Sequence, residues 1–133
     1  MRSKINKIVE IADDTINNPY VIGTNDCNIL VLRVIDLLCD TNYTEKATGY
    51  TSIKEGLKIL KNNGFKDLEE LVQKHCTEVE LPILGDIYII EGIMASIFLH
   101  ETYIEVDHER HVFKNVHTPK ELKGKIYRIN REG

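Results

Sequence analysis

Asp26-Cys27 joins a polar turn, residues 18–25, to a largely apolar stretch, residues 28–39. A cysteine in the first turn of a helix meets unpaired backbone N–H groups and the positive end of the helix dipole, and both favour an anion. Such a position lowers the pKa of a thiol and makes it a nucleophile. The same N–H groups can hold an oxyanion. The implied chemistry is attack on an amide, and the sulfur then needs a base or a cationic partner. The histidines that stand among carboxylates are His108 and His111, in Glu105-Val106-Asp107-His108-Glu109-Arg110-His111. His75 and His117 have no neighbour that suggests chemistry. Cys39 and Cys76 read as packing residues.

A helix must present Cys27, and a sheet must bring a partner to it. Ile5, Ile8, Val9, Ala12 and Ile16 recur at helical spacing over 4–16, with Ser3 as the cap and Asn17-Asn18-Pro19 as the stop. Residues 27–39 form a second helix, capped by Asn25 or Asp26. Its apolar positions run most of the way round, so it is central. Residues 42–50 read as loop. Ser52 with Glu55 caps a helix near 53–62 that Gly64 stops, and Asp67 with Glu70 starts a short fourth one. After Cys76 the period changes to short β-rich runs: 87–90, 95–99, 102–106, 111–116 and 125–129. Thr118-Pro119-Lys120-Glu121 reads as another helix start. The order predicts an α+β fold, with N-terminal helices packed on a small antiparallel sheet or meander.

The 133 residues predict one domain over 1–133, with 42% hydrophobic residues to fill its core. Net charge is −4 from 17 basic and 21 acidic residues, with no basic groove, so nucleic acid is not an expected partner. No apolar run reaches the length of a membrane span. The opening MRSKINKIVEIADD turns acidic too early for a secretory signal. Three cysteines without metal-knuckle spacing predict free thiols in a reducing compartment. His108 and His111 are three apart on a strand turn. That spacing does not set both imidazoles on one face, and neither a metal nor another cofactor is expected. Gly23 and Gly85 read as turn glycines, since no Gly-rich loop surrounds them.

Pro19-Tyr20-Val21-x-Gly23, then Asp26-Cys27 and an apolar helix, resembles the nucleophile motif of the NlpC/P60 cysteine peptidases. These are papain-like enzymes that cut cell-wall peptides. Leu84-Gly85-Asp86-Ile87-Tyr88-Ile89-Ile90 is similar to that family's Pro-Gly-Asp-hydrophobic strand. The similarity spans about residues 17–129 and is greatest to a compact phage-encoded branch. The resemblance implies a papain-like fold, Cys27 as nucleophile and the Tyr20 hydroxyl near the thiol. It also implies a peptide or protein partner in the cleft, and a location in the host cytoplasm or on the virion. The chain departs from the pattern at one position. The family's base is a histidine opening the strand after the Gly-Asp strand, and Met94 stands there. Methionine cannot accept a proton.

A hairpin of 94–99 with 102–107, turning at His100-Glu101, would place Met94 opposite Asp107. His108 would then return to the Met94 end of the sheet, followed by His111. His100 would fall roughly 20 Å away, six residues off at strand rise. The expected displaced dyad is therefore Cys27 with His108, oriented by Asp107 or Glu105, and His111 is second in line. The plainer alternative makes 108–111 a solvated polar turn. Two functions follow. One is a degenerate member of the fold that binds a partner through the former cleft and serves phage assembly or host interaction. The other is an active cysteine hydrolase cutting a cell-wall peptide or another amide. A degenerate cleft should display apolar or aromatic residues such as Tyr20, Tyr43, Tyr50 or Met94.

Overall fold

The computed structural model describes residues 4–90, 94–107 and 109–130. Helix α1 (Lys4–Ile16) buries Ile8, Ala12 and Thr15; the expected cap, Ser3, lies outside the described residues. Helix α2 (Cys27–Cys39) begins where expected, and its cap is Asp26, whose carboxylate accepts from the Ile29 N–H at 2.8 Å. Asn25 turns the other way and ties the loop to the carbonyls of Thr15, Asn18 and Pro19. Ile29 to Leu32, Val34, Ile35 and Leu38 are buried. At about 1.5–3 kcal/mol for each large aliphatic side chain, this helix anchors the core. It packs against α1, short helix α3 (Tyr43–Ala47), helix α5 (Leu68–His75) and two strands.

Helix α3 replaces the loop expected over 42–50. Its cause is tertiary: Asp36 on α2 accepts from the N–H groups of Tyr43 and Thr44, one with each carboxylate oxygen. Helix α4 (Ile53–Asn62) and α5 begin at the expected caps, Ser52 and Asp67. The strands are β1 (Cys76–Val79), β2 (Ile87–Ile90), β3 (Met94–Ile97), β4 (Thr102–Asp107), β5 (Val112–His117) and β6 (Lys125–Ile129). They form an antiparallel sheet in the order β1-β6-β2-β3 and a separate β4-β5 ribbon. The class is α+β with antiparallel pairing, but the sheet is no simple meander, because β6 inserts between β1 and β2. Strand β1 was not expected.

Residues 118–124 hold no helix despite the Thr118-Pro119 start. Contact with β2 overrides the local signal. The Tyr88 hydroxyl accepts from the N–H groups of Lys123 and Gly124. Gly124 lies so close that a Cβ there would sit 2.3 Å from the Ile89 carbonyl oxygen.

The Gly85-Asp86 motif has a structural role. Asp86 is 2% exposed and accepts from the Ile83 N–H and from both Nε and Nη2 of Arg128, at 3.1 and 2.9 Å. This fork pins the loop before β2 to β6, with Arg128 itself 40% exposed. Arg128→Met should lower stability by about 2 kcal/mol, because it strands a buried carboxylate. The check is the urea midpoint at unchanged denaturant slope.

Candidate functional site

The turn before α2 is built around one carboxylate. Asp26 is 4% exposed. Besides capping Ile29, it accepts from the Gly23 N–H at 2.7 Å and from the Tyr50 hydroxyl at 2.6 Å. Tyr50 is largely buried yet lines the cavity beside Asp26, and burial together with Asp26 drives its phenol pKa up. Gly23 has φ 84°, a left-handed conformation in which a side chain is strained. Its carbonyl accepts from the Gly49 N–H at 2.9 Å. The Pro-Tyr-x-x-Gly turn thus exists to hold Asp26 and the 49–50 backbone together.

Cys27 is the first residue of α2, half-buried and facing a cavity of about 380 Å³. Tyr20, Asn28 and Glu105 line the cavity with the thiol. The rest of its lining is mostly apolar, with Leu32, Leu68, residues of α4 and residues of strands β2 to β4. Helix α4 buries none of its residues, and Ile53 and Leu57 stay 65% and 39% exposed.

The thiol is not activated by its helix. Burial pushes the Cys27 thiol up to about 12, with further upward pressure from Asp26 and then Glu105. The expected lowering at a helix start fails first because the thiol is buried, and second for a local reason. Asp26 already fills the helix terminus, taking Ile29 N–H on its side chain and Leu30 N–H on its backbone carbonyl, and it sets a negative charge beside the sulfur.

Burial raises the Tyr20 phenol pKa, and the nearby Asp26 and then Cys27 add to the rise. Tyr20 stacks on His111, ring centroids 6.2 Å apart, and its N–H donates to the His111 carbonyl at 3.3 Å. His111 is exposed at the β4-β5 turn, with φ 56°. Asp107 accepts from the Glu109 and Arg110 N–H groups, which hold its carboxyl below the usual range. It is a turn-capping residue and does not line the cavity. Glu105 does. His108 and the Met94 side chain lie outside the described residues. Among the described residues no histidine lines the cavity. Of the expected 94–99/102–107 hairpin only the closed end forms, where Phe98 bridges Tyr103; beyond it Met94 pairs with Ile90 of β2 and Asp107 with Val112 of β5, because each strand finds a full ladder in another partner.

A family model for a domain of unknown function, DUF6950, matches residues 1–121. The chain belongs to DUF6950. Comparison with the curated proteins and with the solved structures gives no match. In this DUF6950 chain the matched region takes in the whole Cys27 cleft, since its walls run from Tyr20 to Val106. It also takes in a second polar cluster, where the Tyr43 hydroxyl meets His75 Nε2 at 2.7 Å beside Asp36 and Cys39. Tyr43 is thus engaged with α5, away from the cleft. No group of three or more metal-binding side chains occurs among the described residues. No helix among them is long and apolar enough to cross a membrane.

Two features of the DUF6950 site escaped the sequence. Tyr50 carries no local mark as a partner of Asp26, 24 residues away. The apolar wall did carry a mark. Ile53, Leu57 and Leu60 recur on one face of α4, but that pattern alone does not say whether core or cavity receives it.

Proposed function

We propose that this chain is a catalytically degenerate protein of NlpC/P60-like ancestry that binds a peptide or protein partner in the Cys27 cleft, in phage assembly or contact with a host protein. One observation carries the reading: the thiol is buried in a mostly apolar cavity, with the carboxylates of Asp26 and Glu105 as its charged neighbours. A nucleophile needs the opposite surroundings, because both burial and negative neighbours favour the neutral thiol. The papain-like ancestry rests on the Pro-Tyr-x-x-Gly and Asp-Cys residues, and on the placement of Cys27 at the start of the central helix.

Alkylation of Cys27 by iodoacetamide, followed site by site by mass spectrometry, tests the reading. Reaction rate tracks the thiolate fraction. With the thiol at about 12, the rate should rise about tenfold per pH unit from 7 to 10 without a plateau. A plateau beginning below pH 8 would overturn the reading.

An active cysteine hydrolase is the second reading, and one observation favours it. Tyr20 adjoins Cys27 on one side and stacks on His111 on the other, so an imidazole lies one ring away from the sulfur. That reading requires the early plateau, and requires it to disappear in His108→Ala or His111→Ala.

A further inference from the structure

Every charged side chain that lines the Cys27 cavity among the described residues is acidic: Asp26, Asp67 and Glu105. Two of the three are committed elsewhere. Asp26 is consumed by the turn, and Asp67 caps α5 by accepting from the Glu70 N–H. The Glu105 side chain makes no hydrogen bond or ion pair to another described residue, while its backbone belongs to the β4-β5 ladder. Lys114, its cross-strand neighbour, is exposed. A carboxylate facing an apolar space calls for a cation or an N–H donor in whatever fills that space.

The walls specify more than charge. Among the described residues, the backbone hydrogen bonding between the β3 and β4 segments is confined to their turn, at the Phe98–Tyr103 bridge and the Leu99 N–H to Thr102 carbonyl bond. Beyond it they belong to different sheets. The Ser96 hydroxyl donates to the Ile104 carbonyl, so a side chain holds the seam where a backbone ladder would continue. Ala95, Ser96 and residues 103–106 open onto the cavity along this seam. Strand edges of this kind accept an extended backbone, and alternate side chains then fall into neighbouring pockets. Ile53, Leu57 and Leu60 on α4 line the same cavity and offer it an apolar surface.

We propose that the occupant is an extended peptide segment carrying a lysine or arginine between apolar residues, its cation on Glu105 and its apolar side chains against α4. The proposal rests on the partner-binding reading of the cleft and adds the chemistry of the partner. Backbone groups on the seam satisfy the peptide's own N–H and C=O groups, as entry into an apolar space demands. The acidic lining, on a chain of net charge −4, disfavours an acidic partner by the same Coulomb interaction.

The test titrates the full ¹⁵N-labelled chain with three blocked pentapeptides, Ac-Ala-Leu-Lys-Leu-Ala-NH₂ and its norleucine and glutamate counterparts. The lysine peptide should shift the amides of Leu57, Ser96 and Glu105, and bind at least tenfold more tightly than the glutamate peptide. Glu105→Gln should reduce that preference to about twofold while leaving the affinity for the norleucine peptide unchanged. Glu105 is half-buried on the two-stranded ribbon and Gln is nearly its size, so the variant keeps the fold, which the unperturbed remainder of the spectrum verifies. Leu57→Ser, on a helix that buries nothing, should weaken all three peptides together. Equal binding of the three peptides, or a lysine preference that survives Glu105→Gln, overturns the assignment of Glu105. Absence of shifts at these amides with every peptide overturns the peptide as occupant. Neither result bears on the alkylation profile, so failure here is distinguishable from failure of the degenerate-site reading.

Discussion

Gly23→Ala should destabilise the chain by about 4 kcal/mol or more, the largest loss expected of any single methyl group added to this fold. Two costs combine. At φ 84° the left-handed conformation charges a β-carbon roughly 1–2 kcal/mol. The steric cost is larger. An added Cβ would sit 1.8 Å from the Tyr50 carbonyl oxygen and 2.8 Å from its carbonyl carbon. Those atoms are backbone, so no rotamer change relieves the clash. The 49–50 segment would have to move away. Moving it breaks the Gly49 N–H bond to Gly23 and withdraws the Tyr50 hydroxyl from Asp26. Urea denaturation of the purified variant measures the loss. A change below 1 kcal/mol would mean that the 49–50 backbone does not lie against Gly23. Gly49→Ala is the control: its φ is 109°, but nothing lies within 4 Å of the added carbon. It should show the conformational penalty alone.

This contrast also shows what the residues themselves could disclose. That Gly23 is a turn glycine was readable from its setting in the chain. What it turns against was not, because Tyr50 is distant in sequence and bears no motif. The helices with side-chain caps, at Asp26, Ser52 and Asp67, begin where the sequence places them, since a cap is a local hydrogen bond. Helix α3 and the 118–124 loop went the other way because Asp36 and Tyr88 act on them from a distance. The site divides along the same line. Cys27 at a helix start is legible. Its electrostatics are not, because Glu105 reaches it from a strand 78 positions later, and the burial that dominates its pKa is tertiary. The turn Asp107–His111 looked like a reservoir of catalytic groups. Asp107 instead spends its carboxylate on the Glu109 and Arg110 N–H groups, the ordinary use of an aspartate in a turn.

Asp26 is where fold and site meet, and its replacements separate the two. Asp26→Ala should cost about 3 kcal/mol. It removes a helix cap worth about 1 kcal/mol and leaves the Gly23 N–H and the Tyr50 hydroxyl buried without their acceptor. Asp26→Asn should cost less, about 1–2 kcal/mol, because its oxygen can still cap Ile29 while its NH₂ donates to the Tyr50 oxygen. Only the Gly23 N–H then meets a donor in place of an acceptor. The asparagine variant also removes the charge beside Cys27. Burial, which remains, is the first cause of the thiol's rise, and Asp26 is the second. The alkylation midpoint of Cys27 in Asp26→Asn should therefore fall below 12 yet stay above the ordinary value of about 9. A midpoint unchanged from the parent would mean that burial and Glu105 alone raise the thiol. A midpoint at or below 9 would mean that the carboxylate of Asp26, and not burial, holds the sulfur protonated. In that case a single substitution would restore the nucleophile, and the cleft would be one charge away from the reactivity that its helix start confers.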